Sequence, residues 1–112
     1  MPILTADYTS IDYETMSKAI GLKPKHMPML IESFLEESVP TLEALDKAIT
    51  AKDLSSIASY AHSIKGTAGN LRFNEIYEMA KEMERSAKEN NGSFEYNAYL
   101  QAIKAAVATI SL

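Results

Sequence analysis

The sequence predicts an all-α domain, an antiparallel four-helix bundle preceded by a short N-terminal lead-in helix. Apolar residues recur at alternating intervals of three and four along almost the whole chain, which is the period of a helix that buries one face. Patterns typical of strands are absent. Because short turns join the predicted helices, consecutive helices must be mostly antiparallel neighbours.

The length and composition indicate a single domain. A chain of 112 residues can build one hydrophobic core but not two. Its hydrophobic content of 46% and charged content of 23% are typical of a folded globular protein rather than of a disordered one. We therefore assign 1–8 to an N-terminal tail and 9–112 to one helical bundle domain, which we expect to be monomeric.

The charge and the absence of cysteine restrict the possible functions. The formal net charge is −4 and the sequence has no run of Lys or Arg, which argues against nucleic acid as a partner. Without cysteine, disulfides, thiolate chemistry and Cys-type zinc sites are excluded. No apolar stretch approaches the length of a membrane span and no signal peptide is visible, so we expect a cytoplasmic protein that does not bind membranes.

The lead-in helix is predicted over residues 11–20. Thr9 or Ser10 can serve as its N-cap, because either hydroxyl can accept a bond from a free backbone N–H of the first turn. Gly21 is placed to end the helix, since glycine readily adopts the left-handed conformation that follows a C-terminus.

The second helix is predicted over residues 24–49. Pro28 falls in or near the first turn, where a missing N–H is tolerated. Pro40 lies in the interior and removes the bond to the carbonyl group of Glu36, so we expect a kink or a break there. The residues expected to face the core are Ile31, Leu35, Ser38, Leu42, Leu45 and Ile49.

The third and fourth helices carry the most regular apolar patterns. The third is predicted over 53–71 with Asp53 as its cap, and its inward residues are Leu54, Ile57, Ala61, Ile64, Ala68 and Leu71. The fourth is predicted from 73 or 74 to 90, and its inward residues are Phe73, Ile76, Ala80, Met83 and Ala87. On its solvent side we expect an i,i+4 ion pair between Glu84 and Lys88.

The stretch "NNGS" at 90–93 is expected to separate the last two helices. Gly92 is predicted to stop the fourth helix and Ser93 to cap the fifth. The fifth is predicted over 94–110, and its apolar stripe consists of Tyr96, Tyr99, Ile103, Ala106 and Ile110.

The third helix contains "AHSIKGTAG" at 61–69, which places a histidine beside two glycines. At 100° per residue, His62 points about 130° away from the apolar stripe and therefore largely to solvent. The residues around it on that face are all small: Ser55, Ala58, Ser59, Gly66 and Gly69. Since each glycine costs a helix about 1 kcal/mol relative to alanine, we interpret Gly66 as leaving room for a bulky partner to reach the imidazole.

The chemistry available at this site is phosphoryl transfer. A neutral imidazole is a good nucleophile, and the Lys65 ammonium one turn away can hold negative oxygens. The sequence shows no glycine-rich phosphate loop and no carboxylate cluster for magnesium. An activated donor and any metal ion must therefore arrive with a partner protein.

The motif resembles the signature of histidine-containing phosphotransfer (HPt) domains of multistep two-component phosphorelays. The matching residues are Ala61, His62, Ile64, Lys65, Gly66, Thr67 and Ala68, and the likeness extends in helix number and order over about residues 10–110. One position differs, because Arg72 stands where the family often has a second glycine.

The resemblance implies a phosphoryl carrier without a nucleotide site of its own. It implies that His62 is phosphorylated by a receiver-domain aspartate, that Lys65 stabilises the phosphoryl group and that Gly66 gives the receiver access. The implied partners are response-regulator receiver domains and a hybrid sensor histidine kinase. The chain itself is expected to have no cofactor and no metal, with Mg²⁺ in the receiver.

Other interpretations remain open at this stage. The same face, with Ser55, Ala58, Ser59 and Gly69 as docking residues, could bind a partner without any chemistry. The chain could instead be an enzyme that phosphorylates itself from ATP. Gly69 could equally serve close packing against a neighbouring helix.

Overall fold

The computed structural model describes residues 4–9 and 11–110, and its regular secondary structure is entirely helical within those ranges. The elements in chain order are α1 (Tyr13–Ile20), a 3-10 turn (Pro24–His26), α2 (Met27–Thr50), α3 (Leu54–Asn70), α4 (Asn74–Lys88) and α5 (Tyr96–Ala108). Helices α2 to α5 form the predicted bundle and α1 is the lead-in helix. No helix in this part of the chain has the length and hydropathy needed to cross a membrane.

The bundle closes on itself because α3 packs between α2 and α4, and α5 packs against both α4 and α2. The predicted inward residues of α3 and α4 are all buried except Leu54, which is half-buried at the start of α3. On α2 the predicted stripe was partly wrong, since Phe34 and Ala48 are buried while Leu35 and Ile49 are half-buried. Phe34 takes the core position because its ring packs at an angle against Phe73, with the ring centres 5.1 Å apart.

Pro40 lies inside α2, which continues through it from Met27 to Thr50. The predicted alternative of a break is therefore wrong. Pro40 and Glu36 are both exposed, so the missing helical hydrogen bond lies on the solvent side of α2. Pro28 lies in the first turn, as predicted.

The helix ends follow the local backbone chemistry, with three differences from the prediction. Asp12, and not Thr9, caps α1 by accepting bonds from the N–H groups of the first turn; Ser10 lies outside the described residues. Asn90, with φ of 58°, provides the left-handed residue after α4 that Gly92 was predicted to supply. Ser93 does not cap α5, which begins at Tyr96 after Glu95.

Two other predicted ends are confirmed. Gly21 follows α1 in the left-handed conformation, with φ of 76°. Asp53 caps α3 by accepting a bond from the N–H of Ser56 at 3.2 Å. The start of α3, which carries the histidine motif, is therefore fixed by its own sequence.

The N-terminal segment is held against the bundle through Tyr8. Its backbone N–H donates to the Thr109 hydroxyl at 2.8 Å, and its own hydroxyl donates to Glu75 at 2.7 Å. The ring contacts Phe73, with the centres 4.7 Å apart. Burial, together with the adjacent Glu75 carboxylate, raises the pKa of the Tyr8 hydroxyl, so this group stays protonated and remains the donor.

Arg72 occupies the turn between α3 and α4 with a φ of 63°, in the left-handed region that favours glycine. Its guanidinium group donates to the carbonyl oxygens of Gly69 at 3.2 Å and Ala19 at 3.4 Å. The bond to Ala19 joins the turn to the end of α1, whereas the bond to Gly69 stays within the end of α3. The turn therefore forms with arginine in place of the expected glycine.

Candidate functional site

His62 lies midway along α3, and its side chain is 66% exposed. Ala61 and Ile64, which are close to His62 in the sequence, lie on the inner side of α3 and are buried in the core. Because these apolar residues fix the rotation of the helix, the imidazole faces outward, as the periodicity predicts.

Glu84 of α4 is the main contact of the imidazole. The Nδ1 atom of His62 lies 2.9 Å from Oε2 of Glu84, and the Glu84 side chain is only 6% exposed. The prediction that Glu84 lies on the solvent side of α4 is therefore wrong. The apolar pattern contained a signal for this, because Ala80 and Ala87 lie four before and three after Glu84 and are both buried.

Two lysines complete the cluster around this carboxylate. Lys65 Nζ is 2.6 Å from Oε1 of Glu84, and its side chain is 26% exposed. Lys88 Nζ is 2.9 Å from Oε2, the oxygen that also contacts the imidazole. The predicted pair of Glu84 and Lys88 thus exists, but as part of a buried carboxylate with three nitrogen partners.

The cluster determines the protonation of Glu84. Burial by itself raises the pKa of this carboxyl group, but the bonds from Lys65, Lys88 and His62 outweigh burial and lower the pKa to about 2. Glu84 is therefore ionised at neutral pH and can only accept hydrogen bonds. It follows that Nδ1 of His62 carries the proton and donates it, and that in the neutral ring the lone pair lies on Nε2.

The two glycines of the motif have different surroundings. A Cβ atom built on Gly66 has no neighbour within 4 Å beyond its own helix backbone and its two chain neighbours, so the space beside the histidine is open. A Cβ atom on Gly69 would lie 3.1 Å from the ring of Tyr77 on α4. Gly69 thus allows close packing of α3 against α4, and a docking role for it stays a prediction.

His62 is bordered by two surface grooves. The groove between α3 and α4 contains Ser55, Ala58 and Ser59, three of the predicted docking residues, together with Glu84 and Lys88. The groove between α2 and α3 contains Glu37, Ser38 and Thr41, which the sequence analysis did not single out. His62 lines both grooves and is therefore open to a partner that covers either side of α3.

The second histidine of the chain, His26, lies in the exposed 3-10 turn before α2. Over residues 4–9 and 11–110, no three His, Cys, Asp or Glu side chains are grouped so that they could hold a metal ion.

Comparison with known proteins identifies the family. The family model of the Hpt domain matches residues 29–111, which include His62, Lys65, Gly66 and Glu84. No match was found among curated proteins or among solved structures. Since the family model covers most of the chain and the helical bundle agrees with it, the protein belongs to the Hpt domain family, whose members are histidine phosphotransfer carriers of phosphorelays.

Proposed function

We propose that this protein accepts a phosphoryl group on Nε2 of His62 from the aspartyl phosphate of a receiver domain and passes it to the aspartate of another receiver. The observation that supports the proposal best is the contact of Nδ1 with Glu84, which leaves Nε2 as the nucleophilic nitrogen on a side chain that is 66% exposed.

The transfer follows from this arrangement. The Nε2 lone pair attacks phosphorus and forms an N–P bond, while the P–O bond to the aspartate breaks and its electron pair returns to the aspartate carboxylate. The ring then carries a positive charge and keeps its proton on Nδ1. The Glu84 carboxylate, 2.9 Å from Nδ1, stabilises that charge. Because the ring stays protonated, it is also a good leaving group for the onward transfer.

Lys65 can assist without leaving Glu84. An ammonium group has three N–H donors, and the contact with Oε1 at 2.6 Å uses one of them. The remaining donors can bind phosphoryl oxygens during transfer. Gly66 contributes by leaving the space beside His62 open to the receiver.

The partners supply the rest of the chemistry. A hybrid sensor histidine kinase provides the receiver that gives the phosphoryl group, and a response regulator provides the receiver that takes it. The Mg²⁺ ion belongs to the receiver, and the carrier needs no cofactor. We place this exchange between a monomeric carrier and its partners in the cytoplasm.

The experiment compares the wild type with His62→Gln and with His26→Gln as the matched control. Each is incubated with a phosphorylated receiver, and separately with phosphoramidate, and the products are analysed by mass spectrometry for an acid-labile adduct. We expect labelling of the wild type and of His26→Gln, and none of His62→Gln. Phosphate on His26, or receiver binding without transfer, would refute the proposal and favour a module that only binds a partner.

A further inference from the structure

The groove between α2 and α3 is a second surface beside the imidazole. The α2 residues that line it are not part of the HPt motif, which lies on α3. Glu37, Ser38 and Thr41 come from α2, whereas Ser63 and Thr67 come from α3 together with His62. Gly66 lines the same groove, and apart from its own helix backbone and its two chain neighbours no atom lies within 4 Å of the position that a Cβ would take. A partner side chain can therefore enter here and reach His62.

Three of the four hydroxyl groups that line this groove already donate their protons within the protein. Thr41 donates to the carbonyl oxygen of Glu37 at 2.8 Å, and Thr67 donates to the carbonyl oxygen of Ser63 at 3.1 Å. Ser63 in turn donates to the carbonyl oxygen of Ser59 at 3.4 Å. A hydroxyl group has one proton and two lone pairs, so these side chains offer mainly acceptors to a ligand.

Ser38 adds a polar atom that the protein leaves without a partner. Its residue is 3% exposed, and its hydroxyl oxygen has no hydrogen bond within the part of the chain that the structure describes. Because this oxygen is itself buried, a ligand in the groove does not reach it in the present arrangement, and the accessible acceptors are those of Thr41, Ser63 and Thr67.

The two sides of His62 also differ in charge. Glu37 lines the groove on the α2 side and takes part in no ion pair among the described residues. Across α3, the buried Glu84 is matched by the ammonium groups of Lys65 and Lys88. Among the groups that border His62, the α2 side therefore has the negative charge of Glu37, whereas the α4 side has two ammonium groups beside one carboxylate.

We propose that the groove between α2 and α3 binds a basic side chain, Lys or Arg, of the partner receiver domain, and that Glu37 selects receivers that carry it. A basic group matches both the free carboxylate of Glu37 and the acceptors of the groove wall. Because the opposite side of His62 has the opposite charge, this contact also fixes the orientation of the receiver over the imidazole. The inference rests on the proposed phosphotransfer through His62.

The test measures transfer from receivers that have been phosphorylated with acetyl phosphate. Isolated receiver domains are screened with the wild type, and the fastest donor is then used with Glu37→Gln and Glu37→Lys. Glu43→Lys is the matched control, because Glu43 is also exposed on α2 but does not line the groove. Phosphoramidate labelling of each variant checks that His62 itself still reacts.

We expect Glu37→Lys to lower the second-order rate constant of transfer roughly tenfold at low salt and less at high salt, since a charge at an interface acts mainly on the rate of association. Glu37→Gln should lower the rate constant by a smaller factor. Glu43→Lys should transfer at the wild-type rate. Replacing one basic residue of the receiver by Glu should restore transfer to Glu37→Lys.

Two different failures are distinguishable. Equal rates for wild type and Glu37→Lys, or rescue by no receiver substitution, would overturn the groove inference while leaving phosphotransfer intact. If neither a receiver nor phosphoramidate labels His62 of the wild type, the proposed function itself is overturned.

Discussion

Replacing Glu84 with Gln tests the buried cluster directly. The substitution keeps the size of the side chain and one oxygen acceptor, but it removes the charge that Lys65, Lys88 and His62 share. A protonated Glu84 and a glutamine are both neutral, so the variant imitates the acid form of the wild type at every pH. The difference in unfolding free energy between the two proteins therefore reports the ionisation of this one group.

The magnitude follows from the pKa of Glu84, which falls from its ordinary value of 4.5 to about 2 in the folded state. A shift of this size corresponds to about 3 kcal/mol, since each pKa unit is worth about 1.4 kcal/mol. Because the folded-state pKa is the lower one, this stability is fully present above about pH 5. It is lost as the pH falls through the folded-state value near 2.

The assay is denaturant unfolding followed by circular dichroism at several pH values. At pH 7 we expect Glu84→Gln to be less stable than the wild type by about 3 kcal/mol, and at pH 3 by about 1.5 kcal/mol. Glu43→Gln serves as the control, because Glu43 is exposed and takes part in no ion pair among the described residues, so its replacement should change the stability little. A pH-independent difference for Glu84→Gln, or wild-type stability at pH 7, would show that the carboxylate is not stabilised by its three partners.

The remaining predictions concern the motif and the turn that follows it. Lys65→Ala should slow phosphoryl transfer to His62 from a receiver without abolishing it, and an unchanged single-turnover rate would rule out a role in transfer. Gly66→Ala should raise the free energy of unfolding by up to about 1 kcal/mol. Gly69→Ala should raise it less, because the new Cβ would lie 3.1 Å from the Tyr77 ring. Equal increases in stability for the two variants, measured by thermal unfolding, would contradict this difference. Gly66→Gln should accept phosphate from phosphoramidate but not from a receiver, and wild-type transfer from the receiver would mean that the open space is not its route. Arg72→Gly should be more stable than Arg72→Ala by about 1 kcal/mol, since both variants lose the guanidinium bonds and only glycine adopts a φ of 63° without strain. Equal free energies of unfolding for the two variants in chemical denaturation would contradict this expectation.

The helical fold and the direction of His62 were predictable because both depend on local periodicity. The apolar residues of α3 fix which side of the helix is buried, and His62 lies on the opposite side whatever the helix packs against. The cap at Asp53 and the stop at Gly21 were predictable for the same reason, since each acts on its own helix end.

The role of Glu84 was not predicted because it depends on the packing of two helices. Glu84 is 22 residues from His62 in the sequence, and only the close approach of α3 to α4 brings the two together. In addition, a Glu and a Lys at i,i+4 are typical of an ion pair on the exposed side of a helix, so the spacing of Glu84 and Lys88 did not indicate that Glu84 is buried. Phe34 was missed for a similar reason, since its contact with Phe73 joins α2 to the start of α4.

The hydrogen bond between Tyr8 and Thr109 has a topological consequence. It brings a residue five positions before α1 next to the residue just after α5, at a distance of 2.8 Å between the backbone nitrogen and the hydroxyl oxygen. Since α5 also packs against α2, the helices form a closed ring in which the first and last segments are spatial neighbours. A short peptide could therefore join these segments, and the exposed loop at 90–93 could hold new ends, so that a circularly permuted chain keeps the same packing around His62.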